Sequence, residues 1–381
     1  MQNPFKYGGV VGEAAFCNRE QEQQDLRRAI ENGDNLFVYS ERRLGKTSLI
    51  RLVLEDLPKD QYVSAYVDLW PTDSEISFAT VMAKALAEAM STTADKLLET
   101  ARAFFGRLAP SVTLDDQGKP QVLFGINRSI DAAVELNEVL EAPAKIAERE
   151  NRKLVIVFDE FQQILEYGND HAERSLRSAL QMHENVAYVF LGSRKHLIQK
   201  MFLDKSRPLY PAGGHYPLGM IAEEHWFPFM SKRFLNADKR ITQAQIEKIC
   251  ELTDGHPFYT QHLCHVIWEC CDSGEKVTNV ILDTAVQMLI ERESYAYTAL
   301  WESFSLNQRR FLKGLAGERI GKPFASEFIQ INQLGSASNV QRVIDALLER
   351  DIVDRDNGSF VITDRFFRIW VQKFRDLEGN I

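Results

Sequence analysis

Apolar residues in the first part of the chain form short runs, which longer amphipathic segments separate. The short runs predict β-strands at residues 35–39, 62–69, 153–158 and 186–192, with a fifth beginning at Tyr216. Helical periodicity predicts helices around Leu26 and near residues 48–54, 77–108, 129–150 and 171–182. Strands that alternate with helices are typical of an α/β fold with a parallel, helix-covered sheet. The turn-rich stretch 111–127 interrupts this pattern and is interpreted as an insertion or an exposed excursion.

Beyond about residue 222 the strand pattern stops. Periodicity predicts an all-helical unit, with helices at 223–236, 242–252, 257–272 and 278–303. Three short helices follow, at 306–315, 326–333 and 338–348, and then two apolar segments around Asn357-Gly358. An Asn-Gly dipeptide between such segments is typical of a β-hairpin. Three helices followed by a hairpin predict a winged helix-turn-helix, so the expected domains are 1–222, 223–304 and 305–381.

The most informative polar pattern lies between the first predicted strand and the helix after it. The run Ser40-Glu41-Arg42-Arg43-Leu44-Gly45-Lys46-Thr47-Ser48 fits the phosphate-binding pattern G-x-x-x-x-G-K-[ST], except that Ser40 replaces the first glycine. A loop that enters a helix N-terminus directs backbone N–H groups and the helix dipole at an anion. Gly45 would let the backbone approach a phosphate, Lys46 would reach the outer phosphates, and the Thr47 hydroxyl would ligate Mg²⁺. The alternative is a lysine at an ordinary helix start.

A second motif supports the phosphate-loop interpretation. The apolar run after Lys153 ends in Asp159-Glu160, and such a run suits a strand buried on both faces of a parallel sheet. Asp159 is placed to hold the metal, and Glu160 to orient or deprotonate an attacking water. An Asp-Glu pair alone is also typical of a solvated helix start. Its combination with Lys46 and Thr47 favours the metal and base roles, because ligands of such sheets bind at the C-terminal strand ends.

Composition and charge narrow the class of protein. The 381 residues are 45% apolar, and no apolar stretch approaches the ~20 residues of a membrane helix. The N-terminus lacks the apolar segment of a signal peptide, so a cytoplasmic NTPase of two or three domains is expected. A net charge of −9 argues against a protein that coats nucleic acid. Residues 301–375 carry 12 Lys and Arg against 9 Asp and Glu, which leaves specific DNA contact open.

The cysteines are odd in number and scattered along the chain. Buried thiols in a reducing compartment explain five such residues without further assumptions. A zinc site is the alternative, because His and Cys cluster in one segment, at His262, Cys264, His265, Cys270 and Cys271. That segment contains no C-x-x-C pair and has the pattern of a helix facing a core, so the buried-thiol interpretation is preferred.

Together, these motifs resemble the archaeal-type ATPase family within the STAND class of AAA-related NTPases. The resemblance extends over essentially the whole chain. Residues 42–49 closely match the family's phosphate loop, and Asp159-Glu160 matches its acidic pair. The family's other boxes resemble Phe16-Cys17-Asn18-Arg19-Glu20, Gly192-Ser193-Arg194, Gly255-His256-Pro257 and Asp364-Arg365-Phe366-Phe367-Arg368-Ile369-Trp370. The resemblance implies a P-loop NTPase sheet with a helical lid, followed by a C-terminal winged helix.

The resemblance also implies roles for individual residues. Nucleotide contacts would come from the lid residues Gly255 and Pro257, from Phe16 and Arg19 beside the adenine, and from the loop residues Ser40, Arg42, Arg43, Leu44, Gly45, Lys46, Thr47 and Ser48. Thr47 and Asp159 would hold Mg²⁺. Catalysis would involve Glu160, Lys46, Ser193 and Arg194. From the residues alone, Gly255-His256-Pro257 is equally compatible with a plain helix start. Phe5, Phe16 and Arg19 are compatible with packing of the N-terminus as well, but contact with the adenine is preferred because their segment precedes the first strand and has no other obvious docking site.

Two positions depart from the family's pattern. Ser40 replaces a loop glycine, and a serine fits that turn when its φ is negative. Pro208-Leu209-Tyr210 is followed by Pro211-Ala212, whereas many relatives have Gly-Arg there. If that arginine senses phosphate in relatives, another must do so here, and Arg194 and Arg207 are both candidates.

The favoured function is a slowly hydrolysing ATP switch that uses ATP and Mg²⁺ and acts on a protein partner or a second copy. A DNA-directed ATPase and a non-hydrolysing nucleotide-bound scaffold are the alternatives. Strong DNA binding is not favoured, because carboxylates offset the basic and amide groups of the winged helix. In the third helix Asp345 and Glu349 accompany Asn339, Gln341 and Arg342, and in the hairpin Asp354 and Asp356 flank Arg355. The winged helix is therefore expected to act as an intramolecular latch or a protein-docking module.

Overall fold

The computed structural model describes residues 2–12, 15–91, 93–125, 132–317, 322–356 and 358–378. The chain divides into two compact units. The sheet unit comprises Arg19–Arg42 and Lys46–Leu218, and the helical unit comprises Met1–Asn18, Arg43–Gly45 and Gly219–Ile381. Asn357 of the predicted turn, Asn127 at the end of the predicted insertion and the first residues of the helix predicted near 129 lie outside the described residues.

The sheet unit contains a five-stranded parallel sheet in the order β2-β5-β6-β1-β7. Its strands are β1 Leu36–Tyr39, β2 Tyr62–Asp68, β5 Lys153–Asp159, β6 Val186–Gly192 and β7 Gly214–Pro217, with the hairpin strands β3 Pro110–Leu114 and β4 Pro120–Phe124 outside the sheet. Its helices are α1 Glu20–Asn32, α2 Lys46–Asp56, α3 Glu75–Met90, α4 Ala94–Phe105, α5 Ala132–Glu150, α6 His171–Met182 and α7 Lys195–Leu203. The predicted α/β fold with five parallel strands is therefore confirmed.

The central strands are apolar because both faces of the sheet are covered. Every residue of β6, and every residue of β5 after Lys153, is buried. Phe158 and Phe190 stack across these two strands with their ring centroids 5.6 Å apart. Since β6 lies between β1 and β5, the residues that follow these three parallel strands lie along one edge of the sheet. That edge carries the loop after Tyr39.

The stretch interpreted as a turn-rich insertion is an antiparallel hairpin of β3 and β4. Val112 pairs with Val122, and Val122 is fully buried in the core of the sheet unit. Asp115 closes the turn, since its Oδ1 accepts hydrogen bonds from the backbone N–H groups of Gln117 and Lys119. The prediction missed both strands because the strong turn signal concealed the short apolar alternation on each side.

The helical unit contains the predicted second group of helices and the winged helix. Its elements are α8 Glu223–Leu235, α9 Gln243–Thr253, α10 Pro257–Cys270, α11 Asn279–Glu302, α12 Leu306–Gly317, α13 Ser326–Ile331, α14 Ala337–Glu349, the hairpin strands β8 Val353–Asp356 and β9 Ser359–Ile362, and α15 Arg365–Glu378. A single apolar core runs through them. In that core α15 packs on α11, with the Tyr297 and Phe367 rings 5.3 Å apart and the Trp301 and Trp370 rings 6.0 Å apart. The predicted winged helix is present, and the boundary at 304/305 stays a prediction.

The N-terminal segment packs within the helical unit. Phe5 is buried, and its ring lies 5.2 Å from that of Phe234 in α8. The Asn3 side-chain amide donates a hydrogen bond to the carbonyl of His265 at 3.0 Å. The sequence left Phe5 open between contact with the adenine and packing of the N-terminus. In the structure Phe5 packs in the core of the helical unit. Within the described residues, no helix combines the length and apolarity needed to cross a membrane.

Candidate functional site

The loop after β1 holds a buried lysine. Ser40 is buried, and it is not among the described residues with positive φ, so the serine fits a position that usually carries glycine. Its Oγ accepts a hydrogen bond from Lys46 Nζ at 2.9 Å, and Nζ also donates to the Glu41 carbonyl at 3.2 Å. The serine thus becomes part of the cradle that positions Lys46. A buried ammonium at the first residue of α2 provides a cation for an anionic ligand.

The middle of the loop has a left-handed backbone. Arg43 has φ 62° and Gly45 has φ 94°. A Cβ on Gly45 would meet no atom within 4 Å, so glycine is required there by its backbone conformation rather than by space. Alternating right- and left-handed residues direct successive N–H groups to one side, which favours an anion. Within the helical unit, the Arg43 guanidinium lies 4.6 Å from the ring centroid of Phe258 in α10.

Asp159 joins the two sequence motifs. Thr47 Oγ1, at the second residue of α2, donates a hydrogen bond to Asp159 Oδ2 at 2.7 Å, although the two residues are 112 positions apart. The Tyr66 hydroxyl of β2 donates to the same oxygen, and the Glu160 N–H donates to Oδ1 at 2.9 Å. Burial, reinforced by the Asp159 carboxylate, raises the pKa of Tyr66. The Thr47 hydroxyl and the Asp159 carboxylate are hard oxygen donors, so this pair fits Mg²⁺.

Glu160 lies immediately beyond β5 in a strained conformation. Its φ of 51° is left-handed, which costs a residue with a side chain about 1–3 kcal/mol. Its Oε2 accepts hydrogen bonds from Ser193 Oγ at 2.7 Å and from the Gln162 side-chain amide. Ser193 follows Gly192, where a Cβ would lie 2.3 Å from Ile198 Cγ1, so β6 ends on a glycine for lack of space. The structure therefore brings Glu160 and Ser193 together, and the roles of both residues in catalysis stay predictions.

The two arginine candidates differ in their surroundings. Arg207 forms an ion pair with Glu173 of α6, whose side chain is 2% exposed. Arg194 occupies the N-cap position of α7, directly after Ser193 at the edge of the sheet that carries the phosphate loop. The structural role of Arg207 leaves Arg194 as the better candidate for sensing phosphate.

The remaining predicted contacts have local structural explanations. Arg19 is buried in the sheet unit and pairs with Glu22 at 2.6 Å, and Phe16 is half-buried in the helical unit. Gly255 has φ 65°, and a Cβ there would lie 2.4 Å from the Ile221 carbonyl oxygen. Pro257 is the first residue of α10. Backbone conformation and close packing thus account for Gly255, and the start of a helix accounts for Pro257. Nucleotide contacts at these four residues stay proposals.

Two residues that contact the predicted site were missed by sequence reasoning. Tyr66 and Gln162 contact Asp159 and Glu160, respectively. Gln162 was within reach of sequence analysis, because it lies two residues after Glu160 in the same turn. Tyr66 carried no signal, since a tyrosine in an apolar strand is ordinary.

The cysteine-rich segment of α10 is part of the core. Cys264 is fully buried, and burial raises the pKa of its thiol. Burial also lowers the pKa of His262 to about 4, so this imidazole is neutral near pH 7. Among the residues that the structure describes, no three His, Cys, Asp or Glu side chains are grouped to hold a metal ion.

The sheet order, the loop after β1 and the acidic pair after β5 define a P-loop NTPase fold, and the helices α12–α14 with the β8–β9 hairpin add a C-terminal winged helix. Residues 16–266 match the family described as an ATPase domain predominantly from Archaea, and this protein belongs to that family. Residues 295–373 match a probable winged helix domain. No curated protein matches the sequence significantly.

Solved structures share this architecture over nearly their whole length. The Walker-type ATPase PABY2304 of Pyrococcus abyssi is 18% identical, with a TM-score of 0.62 over 97% of this chain and 99% of that one. The ADP form of the Aeropyrum pernix ORC2 protein is 14% identical, with a TM-score of 0.52 over 98% and 97%. The same protein in its ADPNP-ADP complexes is 15% identical, with a TM-score of 0.50 over 95% of each chain. At these identities the similarity concerns the fold.

Proposed function

We propose that this protein binds ATP with Mg²⁺, hydrolyses it slowly and acts as a nucleotide-controlled switch of the STAND class. One observation carries the proposal: the hydrogen bond between Thr47 and Asp159, which joins a phosphate loop to the acidic strand end. Membership of an ATPase family and the likeness to a Walker-type ATPase support it. The likeness to a protein solved with ADP supports a nucleotide as ligand.

Each loop residue has a distinct task in this proposal. Lys46 Nζ exchanges its hydrogen bonds to Ser40 Oγ and the Glu41 carbonyl for contacts with the outer phosphates. Gly45 allows the backbone to approach these phosphates. Thr47 and Asp159 hold Mg²⁺, which neutralises charge on the phosphate oxygens when it is bound. Arg194 senses the outermost phosphate from the end of β6. Without an arginine supplied by a partner, turnover is expected to be slow.

Glu160 acts as the base or orients the water. Ser193 and Gln162 both donate to Oε2, so they hold the carboxylate in one orientation. The other oxygen, Oε1, is left to accept a proton or a hydrogen bond from water. A positioned acceptor of this kind is worth about 10²–10⁴-fold in rate.

Contacts within the helical unit support a joint response of lid and winged helix. Arg368 of α15 donates to the Leu252 carbonyl at 2.9 Å and pairs with Asp254 at 3.1 Å. Arg365, which is fully buried, pairs with the same carboxylate at 3.2 Å. These contacts connect the winged helix to α9 of the predicted lid. We therefore propose that the nucleotide state controls lid and winged helix together, as a latch for a protein partner or a second copy.

The five cysteines are all free, which supports a site of action in the reducing cytoplasm.

The test of the core proposal is ATP binding by the full chain. Calorimetry with ATP and Mg²⁺ is expected to show binding for the parent and none for Lys46→Ala, because the loop cation is lost. Lys59→Ala, an exposed lysine shortly beyond α2, serves as the matched control and should bind as the parent does. Equal binding by Lys46→Ala would refute the loop assignment.

A further inference from the structure

Tyr66 connects a strand without predicted site residues to the proposed metal site. It lies in β2, 93 residues before Asp159, and its hydroxyl donates a hydrogen bond to Asp159 Oδ2. Thr47 Oγ1 donates to that same oxygen at 2.7 Å. Oδ1 accepts from the Glu160 N–H at 2.9 Å. Both carboxylate oxygens are therefore oriented, and Tyr66 supplies one of the three donors.

The register of the sheet explains how the hydroxyl arrives there. Asp68 pairs with Asp159, and Tyr66 pairs with Val157, in the parallel ladder of β2 and β5. Tyr66 therefore lies on the same face as Asp68, two residues or about 6.6 Å before the level of Asp159. A rigid phenol that leans along the strand covers this distance, whereas a phenylalanine at the same place would leave the carboxylate without this donor.

The Tyr66 ring also contacts the helix that carries Thr47. The Arg51 guanidinium carbon lies 4.6 Å from the Tyr66 ring centroid. Arg51 belongs to α2, which begins with Lys46 and Thr47. Tyr66 thus contacts both elements that supply the proposed metal ligands, by a hydrogen bond to one and a cation–π contact to the other.

We propose that Tyr66 is a positioning residue, which orients the Asp159 carboxylate toward the Thr47 hydroxyl and so sets how strongly Mg²⁺ increases nucleotide affinity. This inference rests on the proposed function of the site. Hydrogen-bond partners that orient a metal ligand reduce the ordering required when the metal binds. Their loss typically costs about 10–100-fold in metal affinity.

The experiment compares the dissociation constant of ADP in excess Mg²⁺ with that in EDTA, measured by equilibrium titration of the full chain. The ratio of the two constants reports the contribution of the metal without any turnover. Tyr66→Phe is expected to reduce this ratio about tenfold and to change the constant in EDTA less than about twofold. Tyr62→Phe removes the same oxygen at the opposite end of β2, about 13 Å away, and should leave both constants unchanged.

A second variant covers the case in which Tyr66→Phe does not fold. Arg51→Ala keeps the hydroxyl but removes the cation–π contact with the ring, and Arg51 is exposed. It is expected to reduce the Mg²⁺ ratio by about two- to fivefold, the equivalent of a cation–π contact of about 0.5–1 kcal/mol. Thermal unfolding of each variant identifies loss of fold.

The outcomes separate this inference from the proposed function. An unchanged Mg²⁺ ratio in Tyr66→Phe, with nucleotide still bound, overturns the positioning role alone. Equal weakening in Mg²⁺ and in EDTA also overturns it, because the residue would then support the pocket as a whole. A parent protein that binds no nucleotide under either condition refutes both proposals. A loss of ADP affinity in Tyr66→Phe that is confined to the Mg²⁺ condition supports the inference.

Discussion

Ser193 Oγ donates a hydrogen bond to Glu160 Oε2 at 2.7 Å, across the ends of two adjacent parallel strands. The contact joins the residue proposed as base to the polar tip of β6. It depends on Gly192, because a side chain there would collide with Ile198 of α7. The ends of β5 and β6 therefore form one polar unit, and the chemistry proposed for Glu160 depends on both.

Glu160→Gln is expected to separate binding from chemistry. The glutamine keeps the shape of the side chain but removes the base, so ATP affinity should be retained while phosphate release falls by about 10²-fold or more. Glu166→Gln, an exposed carboxylate in the following turn, is the matched control and should release phosphate at the parental rate. Unchanged phosphate release in Glu160→Gln would remove this residue from the base role.

Ser193→Ala tests whether the serine acts through Glu160. Loss of this donor frees the carboxylate, and phosphate release should fall about tenfold with little change in ATP affinity. A serine that acts only through Glu160 has no further effect once Glu160 is changed. The double variant Ser193→Ala/Glu160→Gln should therefore be no slower than Glu160→Gln alone in single-turnover phosphate release. Additive losses would assign Ser193 a separate contact with phosphate.

Substitution of Arg207 should affect stability, whereas substitution of Arg194 should affect phosphate release. Arg207→Ala leaves the buried Glu173 without its ion pair, and we expect it to lower the free energy of unfolding by about 1–3 kcal/mol. Arg194→Ala should unfold at the parental temperature but release phosphate more slowly, because it loses a cation near the outermost phosphate. Thermal unfolding and phosphate release, measured side by side, distinguish them. The reverse pattern would make Arg207 the sensor.

Asp254→Asn tests the connection between α9 and α15. Asparagine tolerates the left-handed backbone of this position, φ 56°, so the substitution removes mainly the charge. The carboxylate contacts two guanidinium groups, one of them fully buried, and its loss should cost about 1–3 kcal/mol in denaturant unfolding. Glu251→Gln, an exposed neighbour on α9, should have no comparable effect. Equal stability of both variants would show that Asp254 contributes no energetic link between α9 and α15.

The winged helix is expected to bind duplex DNA only weakly. Two polar side chains of α14 already have partners, since Gln341 donates to Asp345 at 2.7 Å and Asn339 donates to the Leu334 carbonyl at 2.8 Å. Titration of fluorescent duplex should give no sub-micromolar affinity at physiological salt. Lys248→Ala, in α9, controls for loss of charge. Sub-micromolar affinity that survives at that salt and disappears in Arg342→Ala, but not in the control, would establish the DNA-directed alternative.

Sequence alone determined the elements and residues whose signals are local. The five parallel strands and most helices follow from periodicity, and the phosphate loop and Asp159-Glu160 follow from consecutive residues. For the strand that ends in Gly192, the predicted bounds 186–192 agree with the observed ones at both ends. Local signals failed where they conflicted, as in the β3–β4 hairpin, and where no motif marked a helix, as in α7. The C-terminal motif after Asp364 was recognised, but not the long helix α15 that it begins.

Only the tertiary structure decided which distant residues meet. The Tyr66 hydroxyl reaches Asp159 because β2 pairs with β5 in one particular register, and no stretch of sequence encodes that pairing by itself. Arg207 and Arg194 were equivalent candidates until the fold placed Glu173 beside Arg207. The sequence left Phe5 open between contact with a base and packing in a core, and the structure packs its ring against Phe234 of α8. Periodicity and motifs express interactions between neighbours in the chain, whereas these contacts arise from strand order and packing over long sequence separations.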